Sequence, residues 1–237
     1  MTTPGQKVAV ITGASQGIGA ALTQAYRKLG YAVVATSRTI APSDDPGVLT
    51  VQGDIADPAT AERVIAAATG RFGRVDTLIN NAGVFTAKPF TDFTPEDYEA
   101  TIAVNLTGFF RITQLAIAQM LTQGGGHVVQ VTSSLVDNPN SAVTAVLASL
   151  TKGGLQSATK ALAIEYATRG IRANAVSPGT IRTPMHPPQH HDFLATLQPV
   201  GRLGEITDIT DAVMFLETAP FITGEILHVD GGVSAGH

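Results

Sequence analysis

Residues 8–19 read Val8-Ala-Val-Ile-Thr-Gly-Ala-Ser-Gln-Gly-Ile-Gly19, a short apolar run followed by three glycines. The apolar run predicts a buried strand, and the residues that follow have the spacing of a helix. Gly13, Gly17 and Gly19 allow a tight turn whose backbone approaches a pyrophosphate at the positive N-terminus of that helix. Alone, such a turn is a weak signal of dinucleotide binding.

The rest of the chain alternates short β-branched runs with longer helical patterns, which is typical of βαβ units in a parallel sheet. Strands are predicted near 7–11, 32–36, 48–52, 77–79, 127–132, 172–177 and 225–229, and helices near 17–29, 58–72, 95–123, 146–169 and 206–217. The nearly continuous apolar character of the strands indicates helices on both faces. We therefore expect a Rossmann-type α/β fold, doubly wound with a seven-stranded parallel sheet, as a single domain over 1–237.

Composition excludes several classes of function. The 237 residues are 44% hydrophobic with a net charge of −4 and a pI near 5.8, which argues against nucleic-acid and anionic-membrane surfaces. The chain contains no cysteine, which excludes disulfides, thiolate metal sites and a cysteine nucleophile. The sequence has no signal-like start and no run near the roughly 20 apolar residues of a membrane span. We expect a soluble, cytoplasmic protein without a metal.

Further motifs follow the glycine turn in a fixed order, namely Leu78-Ile-Asn-Asn-Ala-Gly83, Val104-Asn105, Ser133-Ser134, Lys152 and Pro178-Gly-Thr-Ile-Arg-Thr183. This order resembles the short-chain dehydrogenase/reductase family from end to end, especially its 3-oxoacyl-ACP-reductase-like members. The resemblance implies an oxidoreductase that acts on a small molecule with a nicotinamide cofactor. It also implies a homotetramer or homodimer.

The resemblance assigns a set of cofactor-binding residues. They are Gly13, Ser15, Gln16, Gly17, Ile18, Gly19, Ser37, Arg38, Asp54, Ile55, Asn81, Ala82, Gly83, Lys152, Pro178, Gly179, Ile181 and Thr183. By similarity, Asp54 bonds the adenine and residues 178–183 hold the nicotinamide carboxamide. The alternative for Asp54 is a loop cap.

The end of the second predicted strand bears on the choice between NADP and NAD. An NAD site usually places an acidic residue there, whereas this chain has Ser37, which leaves room for a phosphate. Arg38 could grip or stack on a 2′-phosphate, although it could also be a solvated surface charge. Gln16 stands where NADP-preferring relatives often carry a cation. We expect NADP(H) to be preferred over NAD(H).

The family's active-site tetrad is Asn, Ser, Tyr and Lys. The resemblance assigns Asn105 to a kink in a long helix and Lys152 to the nicotinamide ribose. Ser134 is the best match for the serine, with Ser133 as the alternative. The serine-to-tyrosine spacing is usually thirteen residues, whereas Ser134 precedes Ala148 by fourteen, so an insertion within 136–143 is implied.

The tyrosine position is occupied by Ala148, and the four tyrosines of the chain lie elsewhere. A general acid contributes about 10²–10⁴ in rate. A ketone yields an alkoxide whose conjugate acid has a pKa of about 16, and a quinone yields a phenolate-like anion whose conjugate acid has a pKa of about 10. The quinone product anion is therefore easier to form by roughly 8 kcal/mol. We expect hydride transfer to an activated carbonyl, diketone or quinone, with a non-catalytic NADP(H)-binding sensor or partner protein as the alternative.

Residues 185–200 carry three histidines and several prolines after a predicted strand. Because ligands bind outside the carboxyl ends of such strands, we expect a mobile lid over the substrate, with a plain surface connection as the alternative. The candidates for a replacement acid are His186, His190, His191 and Asp137. Adjacent histidines such as His190 and His191 rarely converge on one ion, so no metal site is expected.

Overall fold

The structure, a computed structural model, describes residues 5–236 and contains one seven-stranded sheet. Its strands are β1 (Val8–Thr12), β2 (Ala32–Ser37), β3 (Val48–Gln52), β4 (Thr77–Asn80), β5 (Gly126–Val131), β6 (Ile171–Pro178) and β7 (Ile226–Val229). All pairs are parallel, in the order β3-β2-β1-β4-β5-β6-β7. The chain reverses its winding direction between β1 and β4, where ligands of such sheets bind. The predicted Rossmann-type fold is confirmed.

Helices cover both faces of the sheet. They are α1 (Gly17–Lys28), α2 (Pro58–Phe72), α3 (Pro95–Ile102), α4 (Phe109–Thr122), α5 (Val146–Tyr166), α6 (His191–Thr196) and α7 (Ile206–Thr218). One face packs on α2, α4 and α5 through buried residues such as Val64, Ile112 and Ala163. The other face packs on α1 and α7 through Leu22 and Val213. Burial on both faces explains the continuous apolar strands.

The helix predicted over 95–123 is present as one helical stretch, Pro95–Thr122, and a π-helical turn, Ala103–Gly108, joins α3 to α4 within it. Asn105 lies in this turn, and a kink there stays a prediction. The backbone passes close to a neighbouring loop here, because a Cβ on Gly108 would lie 2.9 Å from the carbonyl oxygen of Ile55.

The stretch Pro95–Thr122 is long and apolar enough, by composition, to cross a membrane, with a mean hydropathy of 1.2 in its most apolar window. The core helix of a globular protein meets the same two criteria. The apolar side chains serve the core instead: Ile112, Ala116 and Met120 are fully buried against the sheet.

Candidate active site

A cavity of about 510 Å³ lies at the carboxyl ends of β1 to β6. The structure brings most of the predicted site residues to its wall: Gly13, Ser15, Gln16, Gly17, Ile18, Ser37, Arg38, Asp54, Ile55, Asn81, Ala82, Gly83, Ser134, Lys152, Pro178, Gly179, Ile181 and Thr183. Two predicted residues, Gly19 and Asn105, do not line it. Residues distant in sequence thus form one site.

The glycine turn needs glycine for two physical reasons. Gly13 and Gly17 have φ of 65° and 56°, in the left-handed region that disfavours side chains. A Cβ on Gly13 would also lie 2.9 Å from the Asn81 amide nitrogen. A Cβ on Gly19 would lie 2.2 Å from the carbonyl oxygen of Gly13, so Gly19 supports the turn from beneath.

The turn after β4 is fastened to the glycine turn by hydrogen bonds. The Asn81 side chain donates to the carbonyl oxygens of Thr12 (2.9 Å) and Gly13 (3.1 Å). The Thr12 hydroxyl accepts from the backbone N–H groups of Asn81 (3.1 Å) and Ala82 (3.0 Å). Sequence analysis missed Thr12, because a threonine at a strand end is indistinguishable from an ordinary strand residue.

The N-terminus of α1 suits an anion. The residue that precedes the helix, Gln16, makes no side-chain cap, and the first turn carries no acidic residue. The first N–H groups of α1 therefore keep their donor capacity and their positive end charge. With Gly13 and Gly17 holding the backbone clear, the site fits a pyrophosphate.

At the end of the cavity next to β2 and β3 lie Ser37, Arg38 and Asp54. The Ser37 hydroxyl accepts from the N–H of Thr39 at 3.3 Å. Arg38 is exposed and forms no ion pair among the ion pairs of residues 5–236. One Asp54 oxygen accepts from the N–H of Ala56 at 3.0 Å, so the loop-cap role is present while the residue also lines the cavity.

Lys152 enters the cavity from α5. Its ammonium donates to the carbonyl oxygen of Val131 at 2.7 Å. A Cβ on Gly83 would lie 3.0 Å from Lys152 Nζ, so the glycine gives the lysine room. Burial lowers the pKa of Lys152 from 10.5 to about 8, because the charged form loses hydration.

Asn105 holds the wall of the cavity from behind. It is 1% exposed and lies in the π-helical turn. Its Oδ1 accepts from the N–H of Val84 at 2.9 Å, and its Nδ2 donates to the carbonyl oxygen of Val84 and to the Thr151 hydroxyl, both at 3.1 Å. Because Thr151 precedes Lys152, Asn105 joins the segment after Gly83 to the lysine-bearing helix.

The structure distinguishes the two candidate serines. The Ser133 hydroxyl accepts from the N–H of Leu135 at 3.3 Å and so caps the turn after β5. The Ser134 side chain has no hydrogen-bond partner in the part of the chain that the structure describes, and it lines the cavity while being 5% exposed. Ser134 is therefore the serine that can hydrogen-bond a ligand.

No tyrosine of the described chain lines the cavity. Tyr26 and Tyr31 donate to the buried Glu217. This glutamate also hydrogen-bonds residues at the amino ends of β4 and β5, which are the strand ends opposite the cavity. Tyr98 is 51% exposed on α3, and Tyr166 ends α5 beside an arginine. Ala148 itself lines the cavity from the first turn of α5.

The candidate replacement acids separate clearly. His186 lines the cavity, with Nδ1 at 2.8 Å from the carbonyl oxygen of Ile181. His190, His191 and Asp137 are not among the lining residues. No cluster of three or more metal-ligating side chains occurs within residues 5–236.

Sequence analysis missed the apolar walls beyond the reacting groups, which are Val84, Phe85, Leu135, Val143, Leu194, Leu197 and Val233. It also missed α6, a six-residue helix inside the segment 185–200. This segment forms part of the cavity wall through Met185, His186, Leu194, Leu197 and Gln198. Its movement stays a prediction.

Comparison with known proteins places this site in a family. The family model described as enoyl-(acyl carrier protein) reductase matches residues 13–234. The chain is similar to L-xylulose reductase of Bos taurus, with 35% identity and 96% of each chain covered. It is also similar to a 3-oxoacyl-[acyl-carrier-protein] reductase of Thermotoga maritima, with 34% identity over 96% of this chain and 97% of the relative.

Solved structures agree with these relatives. The NADP-bound structure of ElxO has a TM-score of 0.91 and 28% identity, covering 98% of this chain and all 100% of the other. A 3-ketoacyl-(acyl-carrier-protein) reductase from Brucella melitensis, complexed with NADH, has a TM-score of 0.89 and 32% identity, covering 96% and 98%.

Proposed function

The chain belongs to the short-chain dehydrogenase/reductase family, and from that premise we propose that it is an NADP(H)-dependent reductase of activated carbonyls, diketones or quinones. One observation carries the proposal: the residues predicted to bind a nicotinamide cofactor converge on one cavity, and no tyrosine of residues 5–236 lines it.

The chain's residues suit the bound cofactor along its length. The N-terminus of α1 would hold the pyrophosphate, Lys152 the nicotinamide ribose, and residues 178–183 the carboxamide. When bound, the reduced cofactor supplies a hydride. Ser134 would donate a hydrogen bond to the acceptor oxygen, and the apolar walls would exclude water from it.

The preference for NADP(H) rests on the end of β2. Ser37 brings no negative charge to repel a 2′-phosphate, and the exposed Arg38 has no carboxylate partner among the described residues. A guanidinium in this position can bind a phosphate by two parallel hydrogen bonds.

The acceptor class follows from the missing phenol and the apolar walls. A quinone or diketone produces a better-stabilised anion than a simple ketone, so it depends less on a strong proton donor. The side chains Phe85, Val143, Leu197 and Val233 favour an uncharged, largely apolar acceptor.

A non-catalytic NADP(H)-binding protein is the second candidate, and Ala148 favours it. The test follows NADPH absorbance with quinones, diketones and simple ketones, after fluorescence titration has established cofactor binding. We expect turnover with the first two classes. Tight binding without turnover on any class would contradict the reductase and leave the binding protein.

The protein is further proposed to act as a cytoplasmic homodimer or homotetramer. Large apolar side chains are exposed on α5 and α7: Leu150 is 58% exposed, Ile164 82% and Phe215 53%. Sedimentation equilibrium gives the number of subunits, and a purely monomeric protein would contradict this proposal.

A further inference from the structure

We infer that Lys152 protonates the acceptor oxygen, through one water held beside the methyl group of Ala148. This inference rests on the proposed reductase function. It assigns to Lys152 the proton donation for which no tyrosine of residues 5–236 lines the cavity.

The position of Ala148 opens a path for the proton from Lys152 to the acceptor oxygen. Ala148 and Lys152 are four residues apart on α5, so their side chains share one face of the helix. Both line the cavity, as does the unpartnered Ser134 hydroxyl. A methyl group fills little of the space above this helical turn. The inferred water would take the ammonium and the serine hydroxyl as its polar partners, since a bound water needs two or more.

Few other groups can supply the proton. The ionisable side chains that line the cavity are Arg38, Asp54, Lys152 and His186. Arg38 and Asp54 follow β2 and β3, on the far side of β1 from the reacting groups. An arginine also does not release its proton in proteins. His186 is therefore the one competitor among the lining residues.

Lys152 has the required donor capacity. An ammonium has three N–H donors. Val131 uses one of them and the nicotinamide ribose proposed for Lys152 would use another, which leaves one for the bridging water. The groups that face it are neutral: Gly83 after β4, Asn105 behind it and the lining residues 132–135 after β5. Burial therefore acts alone to lower the pKa of Lys152 to about 8, which is near a working pH and so favours proton transfer.

The step balances as follows. The acceptor carbon receives a hydride from the reduced nicotinamide, which becomes oxidised. The carbonyl π bond breaks, a C–H bond forms, and the oxygen takes a proton from the bridging water. The water regains its proton from the Lys152 ammonium, and solvent then reprotonates the neutral amine. No further oxidant or reductant is needed.

The kinetic test uses Lys152→Arg, which keeps the positive charge but cannot release a proton near neutral pH. Cofactor dissociation constants are measured by fluorescence at each pH, and kcat for a diketone is measured at saturating NADPH. Because the donor must be protonated, wild-type kcat should fall about tenfold per pH unit above the pKa of Lys152. Lys152→Arg should lose this pH dependence and about 10²–10⁴ in kcat.

Two controls sharpen the result. In His186→Gln, kcat should still fall at alkaline pH. If kcat of this variant no longer fell, His186 and not Lys152 would be the proton donor. Lys160→Arg, on the exposed side of α5, should match the wild type in kcat and in cofactor binding. Persistence of the alkaline fall in Lys152→Arg would overturn the inference.

A measurement without turnover completes the test. The chain has five lysines, so ¹³Cε-labelled lysine should give few resonances. One should titrate near pH 8 in the free protein and be missing in Lys152→Met. In the protein saturated with NADP⁺, its midpoint should match the kinetic one. Titration above pH 10 would overturn the inference even if turnover occurs, and absence of all wild-type turnover would overturn the proposed function with it.

Discussion

Ala148 is the residue on which substrate choice depends. The mutation Ala148→Tyr places a phenol one helical turn from Lys152, within the cavity that both residues line. We expect kcat/KM for simple ketones to rise by about 10²–10⁴, the usual contribution of a general acid. Activity with quinones should change less, because their product anion is already stabilised.

The matched control is Ala148→Phe, which adds the ring without the hydroxyl. It should not raise ketone reduction. An equal rise with phenylalanine would indicate a packing effect and would contradict the role assigned to the missing proton donor.

Arg38 is expected to choose between the cofactors. Arg38→Ala removes the guanidinium that would bind the 2′-phosphate and leaves the rest of the cavity wall unchanged. The Kd for NADPH should increase about tenfold or more, since a charged hydrogen bond contributes roughly 1.5–3 kcal/mol. The Kd for NADH should change little and serves as the internal control. Equal weakening of both cofactors, measured by fluorescence titration, would refute the assignment.

At the scale of elements, Thr12 joins two turns. Its hydroxyl accepts hydrogen bonds from the partly buried N–H groups of Asn81 and Ala82. Thr12→Val keeps the shape but leaves both donors without this acceptor, at about 1–3 kcal/mol each. Urea denaturation should show this loss of stability, and NADPH binding should weaken with it.

Thr12→Ser is the control for this change, because it retains the hydroxyl and loses only a methyl group. It should keep most of the cofactor affinity. If the valine variant binds NADPH as well as the serine variant does, the two turns do not depend on this hydroxyl.

The predictable elements were those whose signal is local. Apolar runs gave all seven strands, and the predicted helical periods gave every long helix. The π-helical turn at Asn105 has no glycine or proline at that residue to signal it, and the family resemblance implied only a kink there. The six-residue α6 is too short for a hydrophobic period to reveal.

The parts of the site that sequence motifs encode could be predicted, and the parts formed by contacts between distant residues could not. The glycine turn and residues 178–183 follow from sequence. The pairing of Ser133 with Leu135, which leaves Ser134 available, needed coordinates. Likewise Val143 and Val233 line one cavity although 90 residues separate them, and no local sequence pattern predicts that they come together.

At the scale of the whole molecule, one buried carboxylate joins four parts of the chain. Glu217 on α7 accepts from Tyr26 on α1, Tyr31 before β2, Thr77 on β4 and His127 on β5, at 2.8–3.0 Å. Burial alone would raise the pKa of Glu217, but these hydrogen bonds outweigh it and hold the pKa at about 2. Burial lowers the pKa of His127, whose Nε2 lies 3.0 Å from the side-chain nitrogen of Asn174.

Acid should therefore destabilise the fold. Both groups bind protons more readily in the unfolded chain, so stability falls below pH 6.5 through His127 and between about pH 4.5 and 2 through Glu217. The glutamate contributes at most about 3 kcal/mol to this fall.

Urea unfolding at several pH values measures the effect. Glu217→Gln should lose about 1–3 kcal/mol at pH 7, because its donors lose a charged acceptor. Its stability should also depend less on pH below 4.5 than that of the wild type. Parallel pH curves for the two proteins would contradict this role of Glu217.

The most direct measurement is a single-turnover experiment on the protein saturated with NADPH. Stopped-flow absorbance records oxidation of the bound cofactor after mixing with a quinone, a diketone or a simple ketone. Rapid oxidation by the quinone or the diketone, and slow oxidation by the ketone, is the predicted result. Bound NADPH that survives all three acceptors unchanged, or oxidation fastest with the simple ketone, would contradict it.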